Sequence, residues 1–165
     1  MTTYTTIGSP VGQLTLVATE SGALCGLYMH DQRHLPPRDR FGCRNDVGFD
    51  DARRQLGEYF AGTRTAFDLQ LEPRGTEFQQ KVWALLREIP YGETISYAQL
   101  ADRYGDPRAI RAVAAANGKN PIGIIVPCHR VIGSDGSLTG YAGGLERKRF
   151  LLDLENPQPA EATLF

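Results

Sequence analysis

The chain has 165 residues, room for one ordinary domain or two small ones sharing an interface. Apolar residues make up 41%, enough to bury a core, yet no apolar run approaches the roughly 20 residues that a membrane-spanning helix requires. A net charge of −1 excludes a uniformly basic surface, so any contact with nucleic acid must come from a local patch.

The start, Met1-Thr2-Thr3-Tyr4, has neither the basic nor the apolar region of a signal peptide, and a cytoplasmic location is expected. Residues 1–74 read as a small α/β domain. Leu14, Leu16 and Ala18 alternate as in a half-buried strand, and Glu20-Ser21-Gly22 turns the chain into a second strand near Leu24–Tyr28. Residues 30–49 mix charges, glycine and two prolines, which predicts a loop. Asp50 is expected to cap a helix whose apolar side includes Ala52, Leu56, Tyr59 and Phe60, with Gly62 ending it. Phe67–Leu71 alternates again and is predicted to be a strand. Pro73-Arg74-Gly75 marks the expected domain boundary.

Residues 75–165 form the second predicted domain, mainly helical. Thr76 and Gln79 have capping-box spacing, and Phe78, Val82, Leu85 and Ile89 then fall on one helical face until Pro90-Tyr91-Gly92 stops it. Ser96 and Gln99 repeat the box ahead of Ala98, Leu100 and Ala101, and Gly105 breaks that helix. Asp106 caps the next helix with Pro107 at its first position, where a missing N–H costs nothing. The helix runs to about Ala116, and Gly118 and Pro121 end it. A short helix, a tight turn with glycine and a second helix outline a helix-turn-helix, though many helical hairpins share this outline.

The second helix of the pair is bare: Ala109, Ala112, Ala114, Ala115 and Ala116 flank Arg111, its one interior charge. Such a surface suits close approach to a minor groove, and equally suits tight packing between helices. Residues 103–149 carry eight basic against three acidic side chains, compatible with phosphate contact or with a solvated surface.

The most informative stretch is Ile124-Ile125-Val126-Pro127-Cys128-His129-Arg130-Val131. A β-branched run entering a proline predicts that Cys128 sits where a buried strand ends. The three cysteines are odd in number and widely spaced, so no disulfide framework is expected, and a reducing compartment would keep the Cys128 thiol free. A thiol titrating near ~8.5 needs a base, and an adjacent imidazole held by a carboxylate can supply one. A Cys-His dipeptide alone is as compatible with a structural role.

Pro127-Cys128-His129-Arg130-Val131 resembles the active-site signature of the O6-alkylguanine-DNA alkyltransferases. Thr76–Ile89, Tyr91-Gly92-Glu93-Thr94, Ser96-Tyr97, Arg111-Ala112-Val113, Asn120-Pro121 and Tyr141-Ala142-Gly143-Gly144 resemble further family blocks in the same order, and Ser9-Pro10-Val11-Gly12 resembles the N-terminal hairpin. The likeness is strong over residues 75–155 and loose over 1–74. It implies a ribonuclease-H-like N-terminal domain and a winged helix-turn-helix C-terminal domain. The activity implied is irreversible transfer of a methyl or small alkyl group from the O6 of guanine in DNA to Cys128, with the O4 of thymine left open. The resemblance makes His129 the base acting through a water, and Glu155 the carboxylate that orients it. Asn120 ties the helix-turn-helix to the active-site loop, and Tyr97 is the phenol that donates to the guanine ring. Arg111 enters the duplex where the target base has rotated out, with Ala109, Ala112, Asn117 and Ser96 also facing DNA. Val126, Tyr141, Ala142 and Gly143 border the guanine pocket.

The partner implied is alkylated double-stranded DNA, met through the minor groove by a monomer, with clustering on DNA left open. No cofactor is expected. Some family members carry a structural zinc, but Cys25, His30, His34 and Cys43 fit no common zinc spacing, and no metal is expected here. Ala142 stands where some members have a serine that helps bind the guanine oxygen, which leaves the substrate range open. The rival readings are a thiol hydrolase using Cys128, His129 and Glu155, which would turn over, and a DNA-binding sensor without transfer, whose family versions carry tryptophan in place of the cysteine.

Overall fold

The computed structural model describes residues 1–157; the last eight residues of the predicted second domain lie outside it. The N-terminal half is built on a four-stranded sheet: β1 (Thr3–Ile7), β2 (Leu14–Ala18), β3 (Leu24–Met29) and β4 (Cys43–Arg44), in the order β3-β2-β1-β4. The first three strands are antiparallel neighbours, and β4 joins β1 in parallel. Leu14, Leu16 and Ala18 face the main core, as their alternation demands, while Val17 turns to the opposite face with Cys25 and Phe41.

Helix α1 (Asp50–Phe60) buries Ala52, Leu56 and Tyr59 in the main core. Three local expectations need correction here. Asp50 is the first helical residue and not the cap; Phe49 holds that position, and Asp50 and Asp51 instead place their charges in the first turn, where the helix dipole favours them. Phe67–Leu71 does not form a strand: only Leu71 makes a bridge, to Leu24, because Leu24 exchanges backbone hydrogen bonds with Gln70 and Glu72 and nothing continues the ladder. The 30–49 segment carries a one-turn 3-10 helix at Arg38–Phe41 and the two-residue β4 besides its loops.

The C-terminal half follows the capping signals closely. Both capping boxes form, Thr76 with Gln79 opening α2 (Glu77–Leu86) and Ser96 with Gln99 opening α3 (Tyr97–Tyr104). On α2 the buried residues are Val82, Trp83 and Leu86; Trp83 is core, as its place in the sequence suggests, while Phe78 and Leu85 are only partly buried against it. Trp83 Nε1 donates to the Ala116 carbonyl at 2.8 Å and binds α2 to α4 (Ile110–Gly118). Gly105 ends α3 in the left-handed region, Asp106 caps a 3-10 turn at Pro107–Ala109, and α4 follows. This is the helix-turn-helix outline. Two-residue strands β5 (Ile95–Ser96) and β6 (Val131–Ile132) pair in parallel, and α5 (Leu145–Glu155) closes the fold.

One apolar core runs through both halves. The join is also made by backbone. Leu27 of β3 donates to the Pro121 carbonyl at 2.8 Å and accepts from Gly123 at 3.2 Å. The open edge of the N-terminal sheet is thereby paired to the segment that leads into Cys128. Among the described residues no helix is long and apolar enough to cross a membrane.

Candidate active site

Asn120 follows α4 and is buried. Its Oδ1 accepts from the Ile122 amide at 3.0 Å, and its Nδ2 donates to the Val126 carbonyl at 2.7 Å. These bonds fold residues 121–127 into a tight turn, closed by Val126 N–H donating to Ile122 O at 3.0 Å. The predicted strand is therefore absent. The β-branched residues are buried, but their backbone bonds are satisfied locally and through Asn120 instead of by a ladder. Ile124 sits at φ +70, a conformation that costs a β-branched residue about 1–3 kcal/mol and persists only where its surroundings enforce it. Cys128, 7% exposed, opens the following 3-10 turn, Cys128–Arg130.

His129 is fully buried. Its Nε2 lies 2.7 Å from Glu155 Oε2 at the end of α5. The same carboxylate accepts from Arg130 through Nε at 2.7 Å and Nη2 at 3.0 Å, and from the Tyr59 hydroxyl at 2.5 Å. Arg130 Nη1 also donates to the Ile89 carbonyl at 2.7 Å. Burial alone would raise the Glu155 carboxyl, but hydrogen bonds from His129 and Arg130 and the Arg130 charge outweigh it and hold it at about 2. Glu155 is therefore an anion at neutral pH. Burial lowers His129 against the pull of Glu155, so the ring is neutral. The nitrogen facing the carboxylate must then carry the proton, leaving Nδ1 as an acceptor. Nδ1 has no hydrogen-bond partner among the described residues. Burial pushes the Cys128 thiol up, with Asn120 and the Lys148 charge pulling the other way. A protonated thiol next to a neutral, oriented imidazole is a nucleophile awaiting its base.

A cleft of about 520 Å³ opens beside this centre, lined by Tyr97, by Ala114, Ala115, Gly118 and Lys119 of α4, by residues 139–142, and by Arg33 and His34. Its volume suits a small-molecule-sized group. Tyr97 and the buried Tyr141 line it close to Cys128, and burial raises the phenol of each. The Tyr97 hydroxyl donates to the Thr139 carbonyl at 3.0 Å. Ala142 lines the cleft too. Val126 and Gly143 do not: Val126 is buried in the core with its carbonyl taken by Asn120, and Gly143 lies against Met29 and the Tyr141 ring, where a Cβ would clash.

On α4, Arg111, Ala112 and Ala115 face outward, and Arg111 makes no hydrogen bond or ion pair among the described residues. Ala109 is half-buried at the helix start. Asn117 is corrected from the DNA-facing set: it is 2% exposed, because Val113, Ala116, Asn117 and Asn120 share the inward face at three- and four-residue spacing. The Ser96 hydroxyl is engaged in its cap, accepting from the Gln99 amide at 3.0 Å.

Three site residues escaped the sequence reading. Tyr59 reaches Glu155 from the N-terminal half, and only its place on the buried face of α1 marked it. Arg130 and Lys148 were counted in a basic surface but are buried. Lys148 Nζ donates to the Val131 carbonyl at 2.6 Å and the Thr139 carbonyl at 2.8 Å, and burial brings its ammonium down to about 8. Its spacing from Leu151 and Glu155, on the inward face of α5, was the available signal. Cys25, His30, His34 and Cys43 are not gathered: Cys25 packs with Val17 and Phe41, Cys43 is exposed on β4, and His30 pairs with Asp31 at 3.2 Å. Among the described residues no group of three or more His, Cys, Asp or Glu could hold a metal ion.

Fold and site define a two-part protein in which a helix-turn-helix carries a buried, histidine-backed cysteine. Residues 2–73 match the family model described as the 6-O-methylguanine DNA methyltransferase ribonuclease-like domain, and residues 77–157 match that family's DNA-binding domain. The chain belongs to the 6-O-methylguanine DNA methyltransferase family. It is 55% identical over 164 residues to a methylated-DNA–protein-cysteine methyltransferase of Mycobacterium tuberculosis, covering 98% of both chains. It is 49% identical over 152 residues to one of Methanosarcina acetivorans, covering 92% of this chain and 97% of that one. Among solved structures, the Mycobacterium tuberculosis O6-methylguanine methyltransferase superposes with a TM-score of 0.87 at 52% identity, covering 100% of this chain and 99% of that one. The Mycobacterium tuberculosis OGT in complex with DNA gives 0.86 at 54%, covering 99% of each.

The Glu155 geometry has a measurable consequence. Its carboxyl lies at about 2 against an ordinary 4.5, so its contribution to stability is full above about 4.5 and is lost as the pH falls toward 2. Glu155→Gln leaves Arg130 buried without a counter-ion, and should destabilise the fold at pH 7 by about 3–5 kcal/mol. It should also flatten the acid limb. Urea unfolding from pH 2 to 7 measures both effects; parallel curves for the two proteins would contradict this role for Glu155.

Proposed function

We propose that this protein repairs alkylated DNA directly, by moving a methyl or small alkyl group from the O6 of guanine onto its own Cys128. The observation that carries this reading is the buried Cys128 followed by an imidazole whose far nitrogen is held by Glu155 at 2.7 Å. The cleft beside it and the bare outer face of α4 supply a place for an extruded base and a surface for DNA. The chain divides, in this reading, into an N-terminal domain of residues 1–74 that braces the site and a catalytic domain of residues 75–165. A cytoplasmic location fits both the substrate and a free thiol.

The chemistry balances in one displacement. His129 Nδ1 takes the Cys128 proton through an intervening water, and the sulfur electron pair forms the S–C bond. The C–O6 bonding pair stays with the guanine, and a proton relayed from Tyr97 neutralises the ring. To do this Tyr97 exchanges the Thr139 carbonyl for the guanine. One positioned acid contributes roughly 10²–10⁴ in rate. In this reading the Ala142 amide donates to the guanine oxygen in place of a serine hydroxyl. Base extrusion costs a few kcal/mol, about what Arg111 can offset by filling the vacated stack from the minor-groove side, with Ala109, Ala112 and Ser96 close to the strand. The product is a thioether, which water does not hydrolyse, so each molecule acts once.

Incubation with excess duplex containing O6-methylguanine should add one methyl mass per protein, located on Cys128. Cys128→Ser should abolish the addition while duplex binding persists. Product formation beyond one equivalent would instead identify a turning-over thiol enzyme.

Arg111→Ala separates extrusion from transfer. The rate should fall markedly on methylated duplex and little on a free alkylated guanine base, with a gap of a few kcal/mol at most. A mismatch opposite the lesion should narrow that gap. Equal losses on both substrates would assign Arg111 to the pocket or the fold.

A further inference from the structure

The substrate cleft is not built by the C-terminal half alone. Its third wall is Arg33 and His34, from the loop that follows β3 of the N-terminal sheet. Two bonds fix this loop against the cleft. The Arg33 amide donates to the Ala142 carbonyl at 2.8 Å, and Arg147 Nη1 of α5 donates to the His30 carbonyl at 2.8 Å. Within the loop, Asp31 and His34 stand at φ +56 and φ +58 without being glycine. Non-glycine residues in that region are uncommon and gather at ligand-binding segments.

While the Arg33 backbone is tied down, its side chain is free. It is exposed and makes no ion pair or hydrogen bond among the described residues. Lys119, just beyond α4, is exposed and lines the same cleft. Among the described residues no carboxylate lines it. The rest of the lining is small residues and the Tyr97 and Tyr141 rings, a surface made for a flat base and not for a charge. A nucleotide rotated out of a duplex brings a phosphate on each side of its sugar. A slot for the base whose lining holds two cations from different halves of the fold therefore matches the charge of an extruded nucleotide better than that of a free base.

We propose that Arg33 binds a backbone phosphate flanking the extruded nucleotide, so that the N-terminal domain takes part in substrate recognition. This rests on the alkyl-transfer reading given above. Lys119, from the C-terminal half of the same lining, takes the other flanking phosphate. Guanidinium suits this task because it presents several donors to one phosphate and stays charged at any working pH.

The test uses the full-length protein with three substrates: methylated duplex, the same duplex with a mismatch opposite the lesion, and a free alkylated guanine base, which has no phosphate. Transfer by the unmodified protein to Cys128 first establishes the underlying reading; its failure would remove that reading, and the Arg33 proposal with it. Given transfer, Arg33→Ala should lower the ratio of duplex to free-base rates by about threefold to tenfold. It should also reduce the slope of log binding constant against log salt concentration by about 0.9, the share of one phosphate contact on duplex DNA. Arg33→Lys should recover most of the slope. The loss should be the same on matched and mismatched duplex, which separates phosphate binding from the extrusion role of Arg111. An unchanged ratio and an unchanged salt slope would overturn the proposal. So would a loss of equal size on the free base, because Arg33 would then be shaping the cleft and not contacting phosphate.

Discussion

Glu155 is ionised where almost no water reaches it, and that condition governs the arrangement around it. A carboxylate withdrawn from water costs several kcal/mol unless charge and hydrogen bonds are returned to it, by roughly the amounts known for buried ion pairs. Here four donors return them: the His129 ring, two nitrogens of Arg130 and the Tyr59 hydroxyl. They come from two separate parts of the fold. His129 and Arg130 belong to the turn that carries the nucleophile, Tyr59 belongs to the N-terminal helix, and Arg130 reaches on to the Ile89 carbonyl beyond α2. The cluster thus solves a desolvation problem, and in solving it fixes the tautomer of the base. Losing one donor would be felt both as stability and as a misaligned imidazole.

The nucleophile is positioned by a second, independent set of bonds. Asn120 closes the turn before Cys128, and the open edge of β3 holds the same segment from the other side through Leu27. Between these supports Ile124 is held in a backbone conformation it would not choose. Strain of this kind survives because both anchors are buried and hydrogen-bonded, and it presents the thiol on a short 3-10 turn instead of along a strand. The N-terminal half is therefore part of the site's mechanics. It contributes Tyr59 to the carboxylate and a sheet edge to the turn.

Much of this was legible in the sequence. The two capping boxes and Gly105 are local signals whose physics is complete within a few residues, and they open α2 and α3 and end α3 where they stand; Asp106-Pro107 instead opens a 3-10 turn, and α4 begins only at Ile110. Cys128 and His129 were readable as a nucleophile and a candidate base, and the family resemblance chose that reading and added Asn120 to it. What was not legible depended on contacts between distant segments. Nothing near Ile124 announces a turn, since a β-branched run reads as a strand until Asn120 takes its hydrogen bonds. Arg130 and Lys148 looked like surface charge because composition cannot tell a solvated cation from one buried against a carbonyl or carboxylate. Asn117 belongs to the inward face because it shares the helical spacing of Val113, Ala116 and Asn120, although its polar side chain reads as surface. The Phe67–Leu71 alternation was genuine, but it lacked a partner strand.

The central claim is that burial keeps His129 neutral while Glu155 fixes its proton on Nε2, leaving Nδ1 available to the Cys128 proton. Nitrogen-15 NMR of the histidine side chains tests this most directly, with His129 assigned by comparison with His30→Gln and His34→Gln proteins. At pH 7 the account predicts a neutral His129 ring, protonated at Nε2 and bare at Nδ1, that stays neutral as the pH is lowered through the ordinary imidazole value of about 6.5. An imidazolium at pH 7, or a proton resident on Nδ1, would contradict it.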